Sequence, residues 1–298
     1  MSINNPTSRD DLLGAPYPDS FEQPVSHIET PLPDPDDPSW GTLSAFLVWL
    51  LSVALLLLLQ IVVAIPYVVY KVVLHGGAPQ DLGTDPTLIF ISILSVLPAH
   101  ILTFLAVWLV VTRAGKRPFW QSLGWHWPSN FGPWQAIGLA VLLLVLGGLV
   151  TWFYGGSETQ LDQIVNSSLK ARFVTAVLAA VTGPLIEELV YRGVMYSALK
   201  KAFGVTWAVA VVSILFGGVH VLQYYKNVAV IAVIALLSIT LTVVRARSRS
   251  LLPSYIMHLV FNGIQAVILM VQPFVGKPAV ENAPALGVII HDLARLLT

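Results

Sequence analysis

The sequence predicts an all-α protein, a polytopic bundle of about seven transmembrane helices. Three observations carry this. Hydrophobic residues make up 56% of the 298 residues and charged residues only 11%, with a mean hydropathy of +0.76, well above the balance of a soluble globular domain. Apolar runs long enough to cross about 30 Å of hydrocarbon, at about 1.5 Å of rise per residue, recur along the chain. Lys and Arg gather in alternate connections between those runs, which gives the bundle a direction.

The elements follow in order. Residues 1–38 are rich in Pro and in acidic side chains, lack the basic and apolar regions of a cleavable signal peptide, and read as a disordered tail. Spans are expected at 43–70, 87–112, 133–153, 172–199, 206–224, 227–244 and 251–272. The first exceeds the need of the bilayer and holds Pro66, so a tilt or kink is expected there. The stretch 276–298 ends in "APALGVIIHDLARLLT", short and polar on one side; it reads as an interfacial amphipathic helix, with a short eighth span as the alternative. On this division 39–160 are N-terminal transmembrane helices and 161–275 the catalytic core.

Loops 2, 4 and 6 carry Arg113, Lys116, Arg117, Lys200, Lys201, Arg245, Arg247 and Arg249, against Lys71, Lys170, Arg172 and Lys226 on the other side. The tail and those loops are therefore expected in the cytoplasm, and the plain layout favours a multi-pass protein of a bacterial inner membrane. The lipid bilayer is the first partner. A formal net charge of zero and the lack of a long basic run leave no surface for nucleic acid, and zero cysteines exclude disulfides, thiolate metal sites and a Cys nucleophile. No internal repeat suggests a transporter of inverted halves.

Ionisable groups at membrane depth cost a few kcal/mol each on insertion scales, which makes them candidate functional residues by default. They fall in four places: Glu187, Glu188 and Arg192 in the fourth span, His220 in the fifth, His258 with Asn262 in the seventh, and His100 in the second. Counted from the turn "KKAFGV", Glu187 and His220 lie roughly 16 and 17 residues into antiparallel spans, at nearly one level. From "RARSRS", His258 and Asn262 lie roughly 12 and 18 Å in, which puts Asn262 near Glu187 and His258 a turn closer to the cytoplasm. Glu188 and Arg192 stand at i and i+4, a spacing that permits a carboxylate–guanidinium pair, and Glu187 points about 100° away from Glu188. Alone, the pair reads as a structural ion bridge and each His as a hydrogen-bonded interior residue; their common depth favours one cavity, expected to open to the cytoplasm. Nothing matches His100 in depth, so it reads as structural.

The motifs "EELVYR" (187–192), "FGGVH" (216–220) and "HLVFN" (258–262) resemble, in order, the EExxxR, FxxxH and HxxxN/D motifs of the CPBP family, the CAAX-protease and bacteriocin-processing family also called Abi. The resemblance covers roughly residues 170 to 272. It implies an intramembrane glutamic endopeptidase without a cofactor or metal, acting on a peptide or protein at the membrane. Carried over, Glu187 is the general base helped by His220, His258 and Asn262 form the oxyanion hole, and Glu188 with Arg192 orient the site. Two other readings stay open: a zinc metalloprotease using Glu187, Glu188, His220 and His258, weakened by the lack of HExxH, and a non-catalytic scaffold or bacteriocin-immunity protein. A proton-coupled transporter is a third. The substrate, CAAX or otherwise, and the oligomeric state are not fixed by these motifs.

Overall fold

A computed structural model describes Met1 and residues 33–154 and 159–275. Among them the regular elements are helices, without a strand. Six helical stretches are long and apolar enough to cross a membrane: Thr42–Leu74, Pro86–Thr112, Pro133–Tyr154, Leu169–Val221, Val228–Ser248 and Leu251–Phe274. The fourth has 53 residues, which as one straight helix would measure about 80 Å. It is interrupted at Gly204, whose φ of 82° and ψ of 172° lie outside the helical range. Without a Cβ that residue takes a positive φ at no steric cost, and it divides the stretch into the two limbs that the sequence separates at "KKAFGV". Seven limbs result.

Helix α1 (Thr42–Val68) contains Pro66 and continues as a π segment, Val69–Leu74, so the irregularity expected at Pro66 emerges just beyond it. A short 3₁₀ turn, Pro79–Thr84, leads to α2 (Pro86–Leu94) and α3 (Val96–Thr112). Asp85 starts α2: its carboxylate accepts from the N–H groups of Thr87 and Leu88 at 2.9 Å, Pro86 follows at the position that needs no donor, and Lys71 pairs with the same side chain. Next come α4 (Phe119–Ser122), α5 (Pro133–Tyr154) and α6 (Gln160–Ser167), the last opened by a reciprocal cap between Thr159 and Asp162. The long stretch runs α7 (Leu169–Val177), π Leu178–Thr182, α8 (Gly183–Glu187), π Glu188–Met195, then α9 (Tyr196–Tyr224). Helices α10 (Val228–Ser248) and α11 (Leu251–Val275) complete the described chain.

Lipid replaces water as solvent here, so large apolar side chains face outward without penalty; Leu43, Leu47, Leu50, Leu57, Leu58 and Ile61 of α1 are all exposed. Burial concentrates around the π segment Glu188–Met195. Leu189, Val194, Met195 and Phe216 pack there against Val107, Val111 and Ala45. A second cluster joins α5, α10 and α11 through Ala140, Leu143, Leu241 and Met257. Two glycines set the spacing. A Cβ at Gly193 would come within 3.0 Å of Leu123, and one at Gly147 within 2.9 Å of Val233, so both helices approach their neighbours by lacking one.

Residues 33–38, counted with the tail on sequence grounds, are held firmly. Asp36 takes Lys200 at 2.6 Å, Arg245 at 3.2 Å and Arg249 at 2.7 Å, while Asp34 meets Arg249 at 3.2 Å. The buried indole of Trp40 donates to the carbonyl of Val194 at 3.0 Å. This segment thus ties together the ends of α9 and α10 where the basic residues gather. The rest of the expected tail, 2–32, and the expected amphipathic segment, 276–298, lie outside the described residues.

Candidate active site

The local irregularity of the Leu169–Met195 stretch builds the site. Gly183 donates its N–H five residues back, to the carbonyl of Leu178. The next such bond would run from residue 184 to Ala179, but Pro184 has no N–H, so the Ala179 carbonyl is left over. The carboxamide of Asn262 fills the gap, donating Nδ2–H to that oxygen at 3.0 Å. One proline on α8 thereby fixes the amide plane of a residue on α11. Beside it, His100 Nδ1 lies 2.9 Å from Thr182 Oγ1, so this histidine braces the first of these two π segments.

The second π segment opens with Glu188. Its Oε1 accepts from Arg192 Nη1 at 2.8 Å, and both side chains are fully buried. Such a pair persists in a low-dielectric interior only when its remaining donors are also satisfied. Ser238 supplies its backbone carbonyl at 3.2 Å and its Oγ at 3.0 Å, Thr242 Oγ1 lies 3.3 Å from Nε, and the Phe216 ring centre sits 4.5 Å from the guanidinium carbon. The i and i+4 bridge expected from the sequence is therefore present, inside a cage that no spacing in "EELVYR" announces.

His258 connects this buried pair to the open part of the site. Its Nδ1 is 3.0 Å from Glu188 Oε1, and its Nε2 is 3.6 Å from Glu187 Oε2. With the proton on Nδ1, Glu188 holds the ring so that Nε2 is presented to Glu187. Glu187 keeps 31% of its side chain accessible, unlike its sequence neighbour. The near contact of Glu187 is thus His258, where the sequence reading expects His220. His220 stands edge-on to Phe216, with ring centres 5.0 Å apart, and lines the same cavity.

That cavity, of about 290 Å³, brings together Glu187, His220, His258 and Asn262. Its remaining walls are mainly aliphatic, with Val233, Ile234 and Leu237 from α10 and Ile268 from α11. The cavity extends toward one end of the bundle. Its outer part is formed by Thr151 at the end of α5, Asp162 of α6, Tyr224 at the end of α9, Val230 at the start of α10 and Gln272 near the end of α11. All of these belong to the end of the bundle opposite the basic loops. The register of α11 also differs from the expectation, since Asn262 reaches Ala179, two turns before Glu187, rather than the level of Glu187 itself.

Several functional neighbours escape a reading of the motifs. Ser238 and Thr242 could have been found as polar residues at i and i+4 within the apolar run of α10. Tyr191, whose hydroxyl accepts from Trp49 Nε1 at 3.1 Å, carries no such signal. Among the described residues no three His, Asp or Glu side chains are grouped to hold a metal ion, and Glu188 is already committed to Arg192 and His258.

Residues 169–264, which carry all seven residues of the three motifs, match the family model described as Type II CAAX prenyl endopeptidase Rce1-like. The chain is also 22% identical over 155 residues to "Putative membrane peptidase YdiL" of Bacillus subtilis (strain 168), across 48% of this chain and 61% of that relative, which is less than two thirds of its length. No solved structure matches. Within this multi-pass helical membrane protein, the stretch 169–264, about a third of the chain, is thus similar to Rce1-like CAAX endopeptidases, and it supplies Glu187, His220, His258 and Asn262 of the cavity.

Proposed function

We propose that the protein is an intramembrane endopeptidase in which Glu187 activates water against a peptide bond bound in the cavity. The observation that carries this reading is the contrast between adjacent carboxylates: Glu188 is sealed and ion-paired, whereas Glu187 is accessible to the cavity beside His258 and His220. Glu187 takes a proton from water as the water oxygen bonds to the carbonyl carbon, and then gives that proton to the leaving amine nitrogen as the C–N bond breaks. His220 assists from the opposite wall. His258, once Nε2 carries a proton, and Asn262, through its second amide N–H, donate to the oxyanion of the tetrahedral intermediate. Glu188 and Arg192 fix His258 and so act through it.

No Lys or Arg side chain lines the cavity among the described residues, so a free C-terminal carboxylate meets no cation there. This favours cleavage at internal bonds of membrane-associated polypeptides over trimming of a prenylated C-terminus, the reaction for which the matching family is named. Incubation of the purified protein with a library of membrane-tethered peptides, read by mass spectrometry, is expected to yield new internal termini. Binding without any new terminus would leave the scaffold reading as the better account.

A further inference from the structure

The cavity floor is closed toward the basic loops. Between Glu187 and those loops lies a layer in which Glu188, Arg192, Tyr196, Leu251, Ser254 and Met257 are all fully buried. At the other end the walls continue past Glu187 to the terminal turns of α5, α9 and α11, so the open route to the carboxylate starts there. Among the described residues, eight Lys and Arg flank the closed end (Arg113, Lys116, Arg117, Lys200, Lys201, Arg245, Arg247 and Arg249) and four the open end (Lys71, Lys170, Arg172 and Lys226). The closed end therefore faces the cytoplasm by the bias that orients membrane helices.

We propose that the site is loaded from the extracytoplasmic face, and that its substrate is an apolar stretch of a membrane-anchored polypeptide lying in the outer leaflet. The walls near the opening, Leu161, Val165, Val230, Leu269 and Ile268, match apolar side chains. Among the described residues, the one carboxylate at the rim, Asp162, is engaged by the N–H of Thr159 at 2.8 Å and its hydroxyl at 2.6 Å. The word substrate rests on the protease reading; the route of access does not.

The native chain has no cysteine, which makes the test direct. Gln265→Cys and Gln272→Cys place thiols in the cavity, and Arg247→Cys places one at the basic end. Each full-length variant is treated with the membrane-impermeant anion 2-sulfonatoethyl methanethiosulfonate in right-side-out and in inverted membrane vesicles. The cavity thiols are expected to react in right-side-out vesicles and to be spared in inverted ones, with the reverse for Arg247→Cys. Reaction of the cavity thiols only in inverted vesicles, or in neither preparation, overturns the proposal. An anchored apolar peptide presented on one face at a time is followed in parallel. Cleavage confined to the outer face supports the proposal, and cleavage confined to the inner face overturns it. One-sided outer labelling with no cleavage on either face leaves the access route standing and removes the protease reading.

Discussion

Replacing Glu188 with alanine removes the one carboxylate that answers both Arg192, at 2.8 Å, and His258, at 3.0 Å. Arg192 keeps Ser238, Thr242 and the face of Phe216, but none of these carries a negative charge, and the side chain is fully buried. Breaking a buried pair by deleting one partner typically costs about 3–5 kcal/mol. At about 2–4 °C per kcal/mol for a chain of this size, Tm should fall by about 6–20 °C. Glu187→Ala provides the contrast. That carboxylate is 31% accessible and stands 3.6 Å from His258 Nε2, beyond hydrogen-bond distance, so after solvent screening its loss should cost no more than about 1 kcal/mol. Thermal unfolding of both purified variants in detergent, followed by tryptophan fluorescence, separates the two cases. Equal Tm values would refute the division into a structural and an accessible carboxylate. A Glu188→Ala, Arg192→Leu double variant should recover part of the loss, because no uncompensated charge remains.

Pro184→Ala restores an N–H that can close on the Ala179 carbonyl and displace Asn262; kcat should drop by about tenfold to a hundredfold with Tm unchanged or higher, since misplacement of one oxyanion donor slows chemistry without weakening the fold. Asn262→Ala should lower kcat by roughly 10²–10³-fold and leave KM nearly constant, as steady-state cleavage of a fixed peptide would report. At the basic end, burial pushes the Asp36 carboxyl up, but the hydrogen bond from Lys200, the charge of Arg245 and the hydrogen bond from Arg249 outweigh it and hold its pKa below the usual carboxylate value. Its stabilising contribution is therefore complete above the ordinary carboxylate range and is lost as pH falls through the depressed value. The Tm gap between the wild type and Asp36→Asn should stay constant from neutral pH down to about 4 and close below it; a gap that closes at higher pH would contradict the clamp.

Much of the site is legible in the sequence because it depends on periodicity and depth. Glu188 and Arg192 pair because i and i+4 share a face, and Glu187, His220, His258 and Asn262 share a cavity because short turns fix how far each lies into its helix. What escapes the sequence depends on departures from that periodicity. The π segments at Leu178–Thr182 and Glu188–Met195 rotate the side chains that follow them, and a wider turn has no composition of its own. The Pro184 to Ala179 to Asn262 relation requires knowing which carbonyl the missing donor would have served. The opening of the cavity likewise depends on which layers seal, a property of packing between distant helices. Asp36, in a segment of tail-like composition, becomes ordered because three cations converge on it from α9, α10 and the turn that follows.

The central claim is that Glu187 is the proton acceptor for the attacking water. Single-turnover cleavage of a membrane-tethered peptide by Glu187→Gln tests it most directly, because the amide keeps the size and hydrogen-bonding capacity of the side chain and removes only its basicity. The account predicts a rate about 10²–10⁴-fold below the wild type with peptide binding retained, and unchanged wild-type activity in the presence of chelators. A Glu187→Gln protein that cleaves at the wild-type rate would contradict it.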